Sequence, residues 1–102
     1  MNNCPGAPVG GRADQLRDEV DVLEYRAGDV QALGRLVTRW QPRVYSYILT
    51  VIGDRDEAWD VSQDLWASVV STLSGETRIK HFAAWIYGAA HNACASHLRR
   101  ES

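Results

Sequence analysis

Cysteine is scarce in this 102-residue sequence, and its two cysteines lie far apart. Cys4 belongs to a glycine- and proline-rich opening and Cys94 to a predicted helix, so no disulfide framework is indicated. Long apolar runs are also missing, which excludes a membrane-spanning helix. No apolar segment of the length that a secretory signal needs opens the chain. We therefore expect a reduced, cytoplasmic protein that has no membrane partner.

Strand patterns and enzyme motifs are absent as well. No segment of five or more residues alternates between apolar and polar, so no strand is predicted. The sequence contains no Ser-His-Asp ordering, phosphate-binding loop or inward pair of carboxylates, and we expect no enzymatic activity. His91, Cys94 and His97 are metal-ligating residue types, but their spacing of three spreads them over about a third of a helix's circumference. We expect no metal and no cofactor there, and instead a buried Cys94 and surface histidines.

Charge is distributed unevenly along the chain, although the net charge is only −2. Residues 1–75 contain 7 arginines and 11 acidic residues, whereas residues 76–102 contain 4 basic and 2 acidic residues. No acidic residue occurs from Thr77 to Arg100. This asymmetry is weak evidence for an anion-binding site near the C-terminal end of the chain.

Helical periodicity is what the sequence does contain, and it predicts an all-α fold, a compact bundle of about four helices. Residues 1–13 are expected to be a disordered leader and residues 14–102 the helical domain. The first helix is predicted over Asp14–Ala27, with Gly28 as its stop. Its inward-facing apolar ridge is predicted to be Leu16, Val20 and Leu23.

The second helix is predicted over Val30–Ile52, with Asp29 as its N-cap and Gly53 as its end. Pro42 lies inside this pattern and is expected to kink the helix or split it. The predicted buried positions of this helix are Leu33, Leu36, Val37, Trp40, Val44, Tyr47, Ile48 and Val51.

The third helix is predicted over Arg55–Leu73, capped by Asp54. A turn-rich break follows, and the fourth helix is predicted from about Ile79 to about Arg100. The predicted core positions of the third helix are Ala58, Val61, Leu65 and Val69. Those of the fourth are Phe82, Ile86, Ala89 and Ala93, with His97 as a further candidate.

Each of the last two helices carries a second patterned face besides its apolar one. The third helix has an acidic stripe, spaced by three or four residues, formed by Asp56, Asp60, Gln63, Asp64 and Ala67. The fourth has a polar stripe with the same spacing, formed by Gly88, His91, Asn92, Ala95 and Arg99. A helix needs only one face for burial. Two differently charged outer faces therefore predict two partners, one basic and one anionic.

Three blocks of sequence, in the same order, resemble a known family. The block Asp56–Trp66 resembles region 2.2 of bacterial RNA polymerase sigma factors. The segment Phe82–Asn92, followed by His97–Arg100, resembles regions 2.3 and 2.4. Residues Ala27–Tyr45 match the opening helices of the same domain. The likeness covers nearly everything from Asp14 to Arg100 and is greatest to the small extracytoplasmic-function type.

The resemblance implies a partner for each stripe. In the family, the region 2.2 face docks on a coiled coil of the polymerase β′ subunit. The residues expected to bind core RNA polymerase are therefore Asp56, Asp60, Gln63, Asp64 and Ala67.

The loop before the last helix, together with that helix's outer face, melts and holds the non-template single strand of promoter DNA at the minus-ten element in this family. The residues expected to bind that DNA are Arg78, Lys80, His81, Trp85, Tyr87, His91, Asn92, Arg99 and Arg100. An anti-sigma factor is a further partner type that the resemblance implies.

Two positions depart from the family's pattern. The family commonly has Arg where this sequence has Gly88 and His91, so DNA contact is expected to be weaker than is usual there. The alternative function is a sigma-like interaction module that binds polymerase or an anti-sigma factor and no longer reads promoter DNA. The sequence also stops at Ser102, without the family's second, helix-turn-helix domain, so it is either an excised fragment or a stand-alone form.

For several of these residues, the sequence also allows a purely structural role in place of binding. The acidic stripe is also compatible with a solvated face, and Arg99 with Arg100 would suit a helix C-terminus without any ligand. Trp85 and Tyr87 are of types that more often pack in a core than receive an unstacked base. Trp59 and Trp66 flank the acidic stripe and either pack on the first helix or are exposed contact residues.

Overall fold

The computed structural model describes residues 11–101, which form four α-helices and no strand. The helices are α1 (Arg12–Arg26), α2 (Gln31–Ile52), α3 (Arg55–Ser74) and α4 (Phe82–Glu101), and each contacts the other three. The predicted all-α bundle is confirmed. Residues 1–10 of the expected leader lie outside the described residues, whereas residues 12 and 13 already belong to α1. None of the four helices is both long and apolar enough to cross a membrane.

Local sequence signals set the junction between α2 and α3. Gly53 adopts a left-handed conformation (φ 87°), and its N–H donates to the carbonyl of Leu49, which ends α2. The side chain of Asp54 then accepts a hydrogen bond of 2.9 Å from the N–H of Glu57. Both signals confirm their predictions, because glycine tolerates a positive φ and a carboxylate satisfies an otherwise unpaired N–H.

The start and the middle of α2 differ in part from their predictions. The helix begins at Gln31 with Val30 as its N-cap, so the prediction of Asp29 as N-cap is wrong by one residue. The side chain of Asp29 still accepts from the N–H of Gln31 at 3.0 Å. Pro42 lies inside the helix without splitting it. Trp40 and Val44, which flank the proline, are completely buried and hold both turns of α2 against the bundle.

One apolar core lies between α2, α3 and α4, and α1 contributes the buried Val22 and, at the margin, Tyr25. The predicted core positions confirmed as buried are Leu36, Trp40, Val44, Ile48, Ala58, Val61, Leu65, Val69, Phe82 and Ile86. Others lie at its margin and are partly buried, namely Leu33, Val37, Tyr47, Ala89 and Ala93. Val51 is 41% exposed, so its predicted burial is wrong. The buried apolar residues that periodicity missed are Val22, Ala32, Leu73, Ala83 and Ala90.

The first helix packs with a different face from the predicted one. Leu16, Val20 and Leu23 are 54%, 49% and 68% exposed, so the predicted inward ridge is wrong. Asp18 and Asp21 face inward instead and are only 1% and 4% exposed. An inward carboxylate is costly unless it is paired, so these two need partners on the surface that they meet.

Arginines of α2 explain this orientation of α1. Arg39 binds Asp18 at 2.9 Å and Asp21 at 2.6 Å, and Arg35 binds Asp21 at 2.9 Å. The indole N–H of Trp40 donates to the same Oδ1 of Asp18, also at 2.9 Å. Turning the apolar ridge inward would leave these arginines facing leucine and valine, so charge pairing sets the packing of this helix.

Burial has an electrostatic effect on Asp18. It raises the pKa of the Asp18 carboxyl, because the loss of solvent outweighs the hydrogen bonds from Trp40 and Arg39. The Oδ2 atom is buried and, among the described residues, has no hydrogen-bond partner. The contact between α1 and α2 is therefore polar, buried and incompletely satisfied.

Candidate protein and nucleic-acid interfaces

The acidic stripe lies on the outer side of α3. This helix turns its apolar face toward the core, and the opposite side is left to solvent. All five members are exposed, namely Asp56, Asp60, Gln63, Asp64 and Ala67. Together they present carboxylates and one amide at regular spacing, a set of acceptors that suits the arginine or lysine side chains of a protein partner.

The two tryptophans of α3 have different environments. Trp66 is 8% exposed, and its indole N–H donates to the side-chain oxygen of Gln41 on α2. Trp59 is 52% exposed and packs edge-on against Tyr45, with 6.2 Å between the ring centroids. Trp66 is thus a core residue, whereas Trp59 adds an exposed apolar surface next to the acidic stripe. Both rings contact α2.

A groove of about 690 Å³ lies between α3 and α4 on the surface of the bundle. It is lined from both sides by residues of the two stripes and of the predicted DNA-binding set, chiefly Asp64, Trp85, Gly88, Asn92 and Arg100. Trp85 is partly buried and leans on Phe82, with 5.7 Å between the ring centroids. An aromatic ring, an amide and a guanidinium side by side can stack a base, bond its edge and pair with a phosphate.

The acidic stripe and the DNA-binding set meet at one edge of this groove. The guanidinium of Arg100 lies 3.9 Å from a carboxylate oxygen of Asp64, and both side chains are largely exposed. Such a surface pair contributes about 0–1 kcal/mol and does not lock either group. A second contact between the helices joins the ring of His97 to Glu57 at 2.9 Å.

Six residues of the predicted DNA-binding set lie outside the groove, and three of them are on α4. Tyr87 packs edge-on against Trp40 and Tyr47 of α2, with ring centroids 5.9 and 5.8 Å apart. The exposed His91 lies 3.4 Å from the hydroxyl of Tyr47, also on the α2 side. Arg99 is exposed and donates to the hydroxyl of Ser96 at 3.1 Å.

The loop between α3 and α4 presents the remaining cations. Arg78 and Lys80 are exposed, and Ile79 between them packs against the core. The ring of His81 accepts from the N–H of Ala84 at 3.3 Å, so it caps the first turn of α4. Sequence reasoning assigned His81 to DNA and missed this capping role, which its position just before the helix could have indicated.

The metal-ligating residue types on α4 do not converge. Cys94 is 2% exposed, as predicted, and burial raises the pKa of its thiol. His91 faces Tyr47 on α2, whereas His97 faces Glu57 on α3. Within residues 11–101, no group of three or more histidine, cysteine or acidic side chains could hold a metal ion.

Comparison with known proteins supplies a family and two relatives. A family model described as Sigma-70 region 2 matches residues 36–102. The chain is 29% identical over 84 residues to the RNA polymerase sigma-H factor of Pseudomonas aeruginosa, a match that covers 82% of this chain and 44% of that protein. It is 27% identical over 88 residues to the ECF RNA polymerase sigma factor BldN of Streptomyces coelicolor, covering 85% and 33% respectively.

The chain therefore spans less than half the length of these curated relatives. No solved structure matches it significantly.

Proposed function

This chain belongs to the Sigma-70 region 2 family, and from that premise we propose that it binds core RNA polymerase and recognises the melted minus-ten element during transcription initiation. The observation that carries the proposal is the exposed acidic stripe on α3, adjacent to a groove that holds Trp85, Asn92 and Arg100. The proposed activity is binding without catalysis, in the cytoplasm where the polymerase works.

The acidic stripe is the proposed polymerase-binding surface. Its members Asp60, Gln63 and Asp64 would accept hydrogen bonds from basic side chains of the β′ coiled coil, and charge-assisted bonds of this kind are about twice as strong as neutral ones. Trp59, which is 52% exposed beside the stripe, would add apolar contact area. An interface of this composition needs a basic partner with an apolar strip.

The groove and the α3–α4 loop form the proposed DNA-binding surface. Trp85 would stack on an unpaired base, and the amide of Asn92 would bond a base edge. Arg78 and Lys80 at the loop, with Arg99 and Arg100 at the other end of α4, would neutralise phosphates. The remaining members of the predicted set, His81, Tyr87 and His91, lie outside the groove and would contact the strand only as it leaves.

Substitutions on the two surfaces should separate the two activities. Asp64→Arg should abolish capture of core polymerase and leave helicity intact, because it reverses one of the exposed charges of the stripe. Lys80→Ala combined with Asn92→Ala should weaken binding to a single-stranded minus-ten oligonucleotide and leave polymerase capture unchanged. Pull-down of polymerase, fluorescence anisotropy of the labelled oligonucleotide and circular dichroism measure the three quantities.

Matched controls keep the result interpretable. Glu19→Arg makes the same charge reversal on the exposed side of α1 and should leave polymerase capture at the wild-type level. Unchanged capture by Asp64→Arg would remove the stripe from the interface. An equal loss of both activities in the Lys80 and Asn92 variant would indicate misfolding instead of a DNA contact.

The alternative function, an interaction module that binds polymerase or an anti-sigma factor but no longer reads DNA, is favoured by one observation. A Cβ added at Gly88 would meet nothing within 4 Å, so the packing leaves room for a side chain to begin at this groove position. The missing cation at Gly88 is therefore not imposed by the fold. Loss of single-stranded DNA binding with retained polymerase binding would support this alternative.

A further inference from the structure

Arg26, the last residue of α1, connects that helix to the end of α3 and to the following loop. Its Nε donates to the carbonyl of Leu73 at 3.0 Å, and its Nη2 donates to the carbonyls of Thr72 at 3.4 Å and Thr77 at 2.6 Å. The carbonyls in the last turn of a helix have no partner inside it. One guanidinium therefore caps α3 and fixes the loop at Thr77.

The bond to Thr77 lies between the other anchors of the loop. At its start, the N–H of Gly75 donates to the carbonyl of Thr72 at 3.1 Å, and at its end His81 caps α4. Thr77 directly precedes Arg78 and lies three positions before Lys80. The backbone course through Thr77 thus decides where both loop cations are presented.

We infer that Arg26 is a positioning residue for nucleic-acid binding, which holds Arg78 and Lys80 in a bound-like arrangement without contacting the strand itself. The inference rests on the proposed function. Fixing a loop before binding reduces the entropy lost on association. Arginine suits this position because its planar fork reaches several acceptors at once, which a lysine ammonium on a flexible stem does not.

The first measurement compares two arginine substitutions in the whole chain. The probe is a labelled random pool of short single-stranded DNA, since contacts to phosphates do not depend on sequence. We expect Arg26→Gln to weaken binding by roughly five- to tenfold. Arg17→Gln removes the same charge from the same helix at a side chain that is 67% exposed, and it should change the affinity by less than about twofold.

A double-mutant cycle distinguishes positioning from direct contact. In a chain that already carries Arg78→Gln and Lys80→Gln, adding Arg26→Gln should change the affinity by less than about twofold, because it has no cations left to position. If Arg26 itself contacted phosphates, the affinity lost on replacing it would add in full to the affinity lost on replacing Arg78 and Lys80. Additivity would therefore overturn the inference.

Two further measurements distinguish a loss of loop positioning from a loss of the fold. Arg26→Gln should retain polymerase capture, and Arg26→Lys, which keeps the charge but loses the fork, should bind the pool with intermediate affinity. Wild-type affinity of either variant would contradict the inference. Failure of the wild-type chain to bind the pool would instead contradict the proposed function, so the two failures are distinguishable.

Discussion

Helices α1 and α3 bury opposite kinds of surface. On α3, apolar residues such as Val61 and Leu65 face the core and the acidic stripe faces solvent. On α1, Asp18 and Asp21 face the bundle and an apolar ridge faces solvent. The difference shows that the inward face of a helix is decided by what the neighbouring helix offers and not by its own apolar periodicity alone.

The surface that determines which face of α1 points inward lies on α2. Arg35 and Arg39 are four residues apart and so lie on the same face of that helix, where they meet Asp18 and Asp21. With Asp18 and Asp21 buried, these arginines are required, because a buried carboxylate left without its partner is strongly destabilising. On α3, by contrast, Asp64 meets Arg100 in a pair whose side chains are both largely exposed, and the ordinary amphipathic pattern prevails.

The largest expected contrast between the two helices is in leucine truncation. Leu65→Ala on α3 should destabilise the domain by about 2–5 kcal/mol, because it leaves a cavity at a residue that is 1% exposed. Leu23→Ala on α1 should change the free energy of unfolding by less than about 0.5 kcal/mol, because Leu23 is 68% exposed. Urea denaturation of both variants measures the contrast. Equal losses in the free energy of unfolding would contradict the assigned orientation of α1.

The next largest effect concerns the polar contact between α1 and α2. Asp18→Ala should cost about 1–3 kcal/mol, because it leaves the buried indole N–H of Trp40 without an acceptor. Asp18→Asn should cost less, since its amide oxygen still accepts from Trp40. If the alanine variant is as stable as wild type in thermal and urea unfolding, α1 is not held by this bond.

The smallest effect is a pH dependence whose sign follows from the burial of Asp18. The folded-state pKa of Asp18 is raised above its ordinary value of 3.8, so the folded chain binds this proton more readily than the unfolded chain does. As the pH rises from 3.8 through the folded-state pKa, this group therefore lowers the stability. Relative to Asp18→Asn, the wild type should gain stability as the pH falls through that interval. A difference that grows with pH in favour of the wild type would contradict the assignment.

Much of the fold could be predicted because local signals and apolar periodicity agree over α2, α3 and α4. Gly53 and Asp54 mark a helix end and a helix start by backbone chemistry that no tertiary contact overrides. The face of α1 could not be predicted, because it depends on charged partners more than ten residues away in sequence, such as the pair formed by Asp18 and Arg39.

The candidate site was predictable at the level of exposed faces but not of their arrangement. Spacing placed the acidic stripe on one outer surface correctly. It could not show that Asp64 and Arg100 lie at one edge of a shared groove, because that depends on how α3 and α4 cross. Nor could it show that Arg26 caps α3 and holds the loop, because its partners are backbone carbonyls that carry no sequence signal.

The most direct test of promoter reading is selection of short single-stranded oligonucleotides from a random pool by the whole chain at low salt, alongside capture of core polymerase. We predict that bound oligonucleotides share a sequence and that binding weakens as salt rises. Polymerase capture with no enrichment from the pool would contradict the account and leave the interaction module in its place.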